Sequence, residues 1–300
     1  MQQIPRRTRS SNLRLAASAL AVVITAALGG AVVTGAPASA TSRQVQSWAA
    51  ADAAAIHPGV QMYTEGAQCT ANFVFSDSSG ATYVGYAAHC AGTGAATETD
   101  GCDAASLPLG TKVDFVEGGS LVSEGTRVGG GTLAYSSWLT MQQRNESDAD
   151  ACAYNDLALV KVDAADVAKV NPSVPFWGGP VGVDSDGTAA GETVYSYGNS
   201  SLRAGIETLS PKQGTSLGTE GSGWTHPVYT VTPGVPGDSG SAFLDAEGNA
   251  LGVLSTLALA PLVGSNGVGD VGRELTYAQQ HGGPTGLRLV PGTEPFSPLL

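Results

Sequence analysis

Beyond residue 60 the chain alternates between short apolar or alternating runs and stretches of Gly, Ser, Asp and Pro. "TANFVF", "TYVGYAA", "KVDFVE", "LALVKV", "TVYSYG", "PVYTVT", "SAFLD" and "ALGVLSTLAL" are strand-like runs, each set off by turn residues. Such runs predict an all-β protein built of barrels or sandwiches. Helical spacing is scarce. "GRELTYAQQHGG" sets Leu275 and Ala278 three apart ahead of Gly282-Gly283, which predicts one short helix near the C-terminus. The alanine-rich "SWAAADAAA" at 47–55 reads as helix or as a loose leader.

The alternation lapses once, at "DAADVAKVNPSVPFWGGPVGVDSDGTAAG". That Pro-, Gly- and Asp-rich stretch reads as a connection at 166–190 between two β-domains of about a hundred residues each. The first covers 61–165 and the second 191–271. A helix and a tail follow at 272–300, and "PGTEPFSPLL" is too rich in proline for regular structure. At the other end, Arg6, Arg7, Arg9 and Arg14 precede an apolar run from Ala16 to Val33 and the small-x-small site Ala38-Ser39-Ala40. This is the layout of a secretory signal at 1–40, leaving 41–60 as a leader or short pro-segment. The apolar run is long enough to span a bilayer, so an uncleaved anchor is the other reading; the Ala-x-Ala site favours cleavage.

Charge narrows the partners. The chain carries 14 basic and 26 acidic residues, and four of the basic ones but none of the acidic ones lie in the predicted signal, so the mature chain has a net charge of −16. Such a surface repels phosphate backbones and excludes nucleic acid as the expected partner. No stretch after the signal is apolar enough to cross a membrane, so no stable membrane association is expected once the signal is removed. Four cysteines in an exported chain point to disulfides, with three possible connectivities. No C-x-x-C or H-x-x-x-H spacing occurs, so neither a metal site nor a cofactor is expected.

Simple arithmetic selects one pairing. If "CTANFVFSDSSGATYVGYAAHC" is a hairpin turning at Ser78-Ser79-Gly80, facing residues sum to about 159, and Cys69 and Cys90 meet that condition. His89 then ends a stapled strand, where a histidine needing one geometry gains rigidity. By elimination Cys102 pairs with Cys152. In "YNDLALVKV", Asp156 stands at the mouth of an apolar run, buried yet able to reach an imidazole, with Asp148 and Asp150 as equal candidates on composition. In "GVPGDSGSAF", Ser239 is a candidate nucleophile and Gly237 a residue free to turn its N–H inward beside that of Ser239. His57, His226 and His281 lie in loop-like contexts and receive no role.

Taken together, "AAHC", "NDLALV" and "GDSG", in that order and behind an export signal, resemble the chymotrypsin-like serine proteases, and the chain looks like a secreted bacterial member over roughly residues 60 to 282. The resemblance implies two antiparallel six-stranded β-barrels with the active site between them and a short C-terminal helix. It implies His89 as general base and then acid, Asp156 as its orienting carboxylate, Ser239 as nucleophile, and the N–H groups of Gly237 and Ser239 as the oxyanion hole. Substrates would be proteins or peptides, and the enzyme would be a monomer.

The chain departs from the family in several places. Ser241-Ala242 follow "GDSG" where Gly-Pro is common. The Ile56 segment lacks the sequence of a freed N-terminus that pairs with the acid before the serine, so Asp238 needs another cation, and Arg203 is the internal candidate. The resemblance puts Pro233, Ser255, Thr256 and Leu257 at the substrate pocket. Pro233 stands where enzymes that cut after Arg or Lys carry an aspartate, which predicts cleavage after small or medium apolar residues instead. The competing function is a secreted binding module on a protease-like fold without turnover.

Overall fold

The alternating runs become strands in a computed structural model that describes residues 46–94, 98–257 and 264–298. Seven precede the connection: β1 (Gln61–Thr64), β2 (Ala67–Thr70), β3 (Val74–Ser76), β4 (Thr82–Ala87), β5 (Lys112–Glu117), β6 (Thr126–Ser136) and β7 (Leu157–Val162). Six follow it: β8 (Thr193–Tyr197), β9 (Pro211–Ser216), β10 (Thr225–Thr230), β11 (Ala242–Leu244), β12 (Ala250–Leu257) and β13 (Asn266–Asp270). A two-residue strand, β14 (Arg288–Leu289), lies near the C-terminus. The predicted signal at 1–40 lies outside the described residues. Among the described residues no helix is long and apolar enough to cross a membrane.

The six later strands form the expected closed barrel in the order β10-β13-β12-β11-β8-β9, with β9 and β10 paired to shut it. Val194, Val228, Phe243, Leu251, Leu254 and Val268 fill its interior. The first unit differs from the expected six-stranded barrel. It is an eight-stranded sheet, β14-β3-β4-β7-β6-β5-β1-β2. Between β2 and β3 the ladder is interrupted: the Asn72 N–H donates to Gly85 O at 2.8 Å and the Gly85 N–H to Phe73 O at 2.9 Å. These two bonds hold the end of β2 against β4 without a continuous strand pair. The C-terminal tail adds the eighth strand, with Arg288 opposite Ser76.

The hairpin arithmetic is off by one. Val74 faces Val84 and Ser76 faces Thr82, sums of 158 rather than 159. Cys69 stands on β2 opposite Met62, and Cys90 lies in a 3-10 turn (Ala88–Ala91) beyond β4. Their disulfide, with Cα atoms 6.1 Å apart, therefore joins a strand to a turn instead of two facing strands.

Every residue of β4 is buried, and it pairs with β7 from Tyr83–Lys161 to Ala87–Leu157. That register carries the site. It sets the turn after β4 against the residue before β7, and the Ala88 N–H donates to Asp156 O at 2.7 Å. Two short helices, α1 (Ser137–Arg144) and α2 (Ala149–Tyr154), were not expected from the pattern. Asp148 caps α2 by accepting from the N–H groups of Asp150 and Ala151, and so is occupied with helix chemistry. The expected C-terminal helix is α3 (Val271–Gln280), capped by the Asp270 carboxylate and buried at Val271, Glu274, Leu275 and Ala278. This i, i+3, i+4, i+7 face is what a packed helix needs. The 47–55 stretch forms turns, not helix.

Candidate active site

The Asp156 carboxylate joins His89 to the second barrel. Its Oδ1 accepts from the His89 backbone N–H at 2.8 Å, and its Oδ2 lies 2.6 Å from His89 Nδ1. The Ser255 hydroxyl at the end of β12 donates to the same Oδ2 at 2.6 Å. Asp156 is buried, and three donors in addition to its place at the β4–β7 join hold it still. Burial pushes the His89 pKa down, but the charge and hydrogen bond of Asp156 outweigh that and leave it above the ordinary histidine value. Asp150, the other alternative acid, lies in the first turn of α2.

Ser239 lines the same cleft as His89, a cavity of about 640 Å³ whose walls also include Trp138, Leu254, Ser255 and Asn266. Among the described residues no hydrogen bond joins the Ser239 hydroxyl to the imidazole. The turn that carries Ser239 depends on two glycines. Gly237 (φ +94°) and Gly240 (φ +88°) occupy the left-handed region, and a side chain at Gly240 would collide with Thr70 O and Ala87 N. The turn is thus pressed against β2 and β4. The Thr70 N–H donates to Ser239 O at 2.8 Å, and Thr70 Oγ1 and Gln68 Nε2 donate to Gly237 O at 2.7 and 2.9 Å.

Asp238, fully buried, points away from the cleft into a cationic pocket. Arg203 Nη2 lies 2.5 Å and Lys212 Nζ 2.8 Å from its Oδ2. The Ser200 N–H donates to Oδ1 at 3.0 Å and the Val235 N–H to Oδ2 at 3.1 Å. Burial alone would raise the Asp238 pKa; Lys212 and Arg203 overcome it and hold the carboxyl below its usual range. Burial also lowers the Lys212 pKa, against the pull of Asp238. Arg203 is the cation that the sequence suggested, whereas Lys212, from "SPKQGTS", gave no signal because nothing in a lone lysine on a strand tells which way it points. Ile56 is not involved: it is buried mid-chain, its N–H donating to Lys169 O at 3.1 Å.

Thr256 and Leu257 line the cleft, with Leu257 exposed. Pro233 does not. It is exposed, and its carbonyl accepts from Arg203 at 3.0 Å, because the segment before the nucleophile turn faces the ion pair at that point. Asn266 was missed: buried on β13, it accepts from the Gly234 N–H at 2.9 Å and donates to Thr256 O at 3.3 Å, closing one wall of the cleft. Ser255 borders the cleft but also belongs to the Asp156 network.

Behind Asp156 lies Glu274, on α3 and fully buried, whose Oε1 accepts from the Asp156 N–H at 2.8 Å. Burial, reinforced by the neighbouring Asp156 and Asp270, pushes its pKa well above the carboxylate range. His226 does not lie in the loop that its sequence context suggested. It is fully buried on β10, between Asp270 Oδ2 (3.0 Å from Nε2) and Thr219 Oγ1 (3.1 Å from Nδ1). The two disulfides are Cys69–Cys90 and Cys102–Cys152, and the second ties the loop after His89 to α2 just ahead of Asp156.

No family model matches the sequence, and no curated protein does. Among solved structures the chain is similar to Protease A of Thermobifida fusca, with 21% identity over 79% of this chain and 99% of that one and a TM-score of 0.46. It is similar to the Nocardiopsis protease (19% identity, 78% and 98% covered, TM-score 0.44). The Cellulomonas bogoriensis chymotrypsin gives 19% identity, 78% and 98% covered, and a TM-score of 0.44.

Proposed function

We propose that this protein is a secreted serine endopeptidase of the chymotrypsin-like family, which hydrolyses peptide bonds through an acyl-enzyme. The observation that carries this reading is the double hold of Asp156 on His89, through the backbone N–H and Nδ1 together. A carboxylate on Nδ1 selects the tautomer whose Nε2 is free to accept a proton, in a cleft that Ser239 shares.

Ser239 Oγ attacks the scissile carbonyl while its proton passes to His89 Nε2. The carbonyl electron pair moves onto oxygen, and the N–H groups of Gly237 and Ser239 receive the oxyanion. Collapse of the tetrahedral species expels the amine, which takes the proton from His89. Water, activated by the same imidazole, then attacks the acyl group and frees Ser239 with release of the acid. A serine–histidine hydrogen bond that is long without substrate tightens when substrate fills the cleft.

Leu254, Asn266 and Gly234, none of them charged, line the pocket beside the nucleophile. This favours small or medium apolar side chains before the scissile bond rather than Arg or Lys. Two disulfides suit an oxidising, extracellular destination and agree with the predicted export signal. The reading keeps the two β-domains at 61–165 and 191–271 about a connection at 166–190, and a monomer acting on protein or peptide substrates.

A fluorophosphonate probe on the purified mature protein tests the reading. Labelling that disappears in Ser239→Ala supports the enzyme. A folded sample that neither labels nor cleaves peptides would establish the non-catalytic binding module instead. A peptide-library digest dominated by cleavage after Arg or Lys overturns the specificity.

A further inference from the structure

Three successive peptide groups lead up to Ser239, and the carbonyl of each is pinned by hydrogen bonds. The Pro236 carbonyl accepts from Ser200 Oγ at 2.6 Å. The Gly237 carbonyl accepts from Gln68 and Thr70. The Asp238 carbonyl accepts from the Ser241 N–H at 3.0 Å and from Ser241 Oγ at 2.5 Å. In a trans peptide the C=O and the following N–H point in opposite directions, and neither the Pro236–Gly237 nor the Asp238–Ser239 bond is cis. Holding the Pro236 and Asp238 carbonyls inward therefore turns the Gly237 and Ser239 N–H groups outward. Among the described residues no group accepts from either of those N–H groups.

The two planes are not held equally. Asp238 O has a backbone donor as well as a hydroxyl, whereas Pro236 O has one partner, the hydroxyl of Ser200. Ser200 is buried and fully used: its N–H donates to Asp238 Oδ1, and its Oγ accepts from the Leu202 N–H at 3.1 Å while donating to Pro236 O. The Leu202 bond caps the 3-10 turn (Ser201–Arg203) that presents Arg203 to Asp238. A side chain at position 237 would crowd this same hydroxyl, at 2.9 Å from its Cβ.

Resting on the peptidase reading above, we propose that Ser200 is a positioning residue of the oxyanion hole, whose hydroxyl locks the Pro236–Gly237 peptide in the orientation that aims the Gly237 N–H at the cleft and couples that plane to the Arg203–Asp238 ion pair. Without the hydroxyl this peptide has no inward donor and can rotate, which would put a carbonyl oxygen where the oxyanion forms. The ground-state substrate, bound by strand and pocket contacts, loses little. The transition state loses one donor.

Removing an oxyanion donor outright costs about 10²–10³ in kcat, and a donor that is present but misaimed part of the time costs about 10–100-fold. The test is steady-state cleavage of an uncharged peptide p-nitroanilide by wild type, Ser200→Ala and Ser200→Thr. Active sites are counted by fluorophosphonate titration, so an unfolded fraction does not register as lost rate. The inference expects kcat of the Ala variant to fall by about 10–100-fold with KM changed less than threefold. Affinity for a peptide aldehyde, which forms a tetrahedral adduct, should fall in parallel, while affinity for the matching product peptide holds. The Thr variant, which keeps a hydroxyl, should recover most of the rate. An Ala variant with wild-type kcat overturns the inference, and so does a loss carried by KM or by product-peptide affinity, or one that Thr fails to restore. A folded wild type that neither labels nor turns over peptide amides overturns the peptidase reading itself, a result distinct from any of these.

Discussion

Lys212 Nζ lies 2.8 Å from Asp238 Oδ2, and both side chains are closed off from solvent. With Arg203 on the same oxygen, the residue before Ser239 is neutralised wholly from within the chain. Removing one member of a buried ion pair leaves the other uncompensated, at a cost of about 3–5 kcal/mol. Asp238→Asn, which strands two cations, should therefore lose stability on that scale in urea unfolding and lose activity with it. Lys212→Met leaves Asp238 its Arg203 partner and should lose less. An Asp238→Asn protein as stable as wild type would contradict the assignment of Asp238 as the charge that orders this turn.

The pH dependence of rate has a fixed sign. In the proposed mechanism His89 must be neutral to accept the Ser239 proton, and Asp156 holds its pKa above the ordinary 6.5. kcat/KM should fall on acidification with a midpoint above 6.5, about tenfold per pH unit below it. Stability should respond to this group in the opposite sense. A histidine whose pKa is raised by folding adds stability that is full below its unfolded value and lost as pH rises through the folded value. A rate profile flat from pH 5 to 9 would rule out a histidine base.

Burial, with Asp156 and Asp270 nearby, pushes the Glu274 pKa well above the carboxylate range. Because folding raises its pKa, its favourable contribution is present below the ordinary carboxylate range and disappears as pH climbs through the raised value. Glu274→Gln keeps an acceptor for the Asp156 N–H and cannot ionise. Its Tm should gain on wild type between pH 5 and pH 8.5, with the pH–rate midpoint unmoved. Glu274→Leu leaves that buried N–H without an acceptor and should cost about 1–3 kcal/mol. A Tm difference between the Gln variant and wild type that is independent of pH would show Glu274 to be ionised in the fold or to carry an ordinary pKa.

The disulfide between Cys102 and Cys152 closes a separation of 50 residues and anchors the loop between His89 and Asp156. Replacing both cysteines by serine should cost about 2–4 kcal/mol, chiefly by releasing the unfolded chain. Per folded active site, the rate should fall by less than about tenfold, since His89 keeps the neighbouring Cys69–Cys90 bridge and its two bonds to Asp156. Chemical denaturation and active-site titration on the same sample separate the two effects.

Much of this was legible along the chain because it is local. Turn residues between alternating runs specify strands, and Gly237 and Gly240 mark a backbone that other residues resist. The hairpin register is one lower than expected because it is set at the turn itself, where the Asp77 N–H donates to Ala81 O and every facing pair beyond sums to 158. The helices α1 and α2 escaped notice because six to eight residues make too few turns for a period to emerge.

The sequence by itself determined the strand content, the closed second barrel's share of the chain, the order of His89, Asp156 and Ser239, and the need of Asp238 for a cation. Only the tertiary structure decided what answers that need and what stands behind Asp156. Lys212, Ser200, Ser255, Asn266 and Glu274 each lie far along the chain from the group they serve. A hydrogen bond across 26, 99 or 118 residues leaves no period or spacing to read, because its geometry is set by how two sheets and a helix pack.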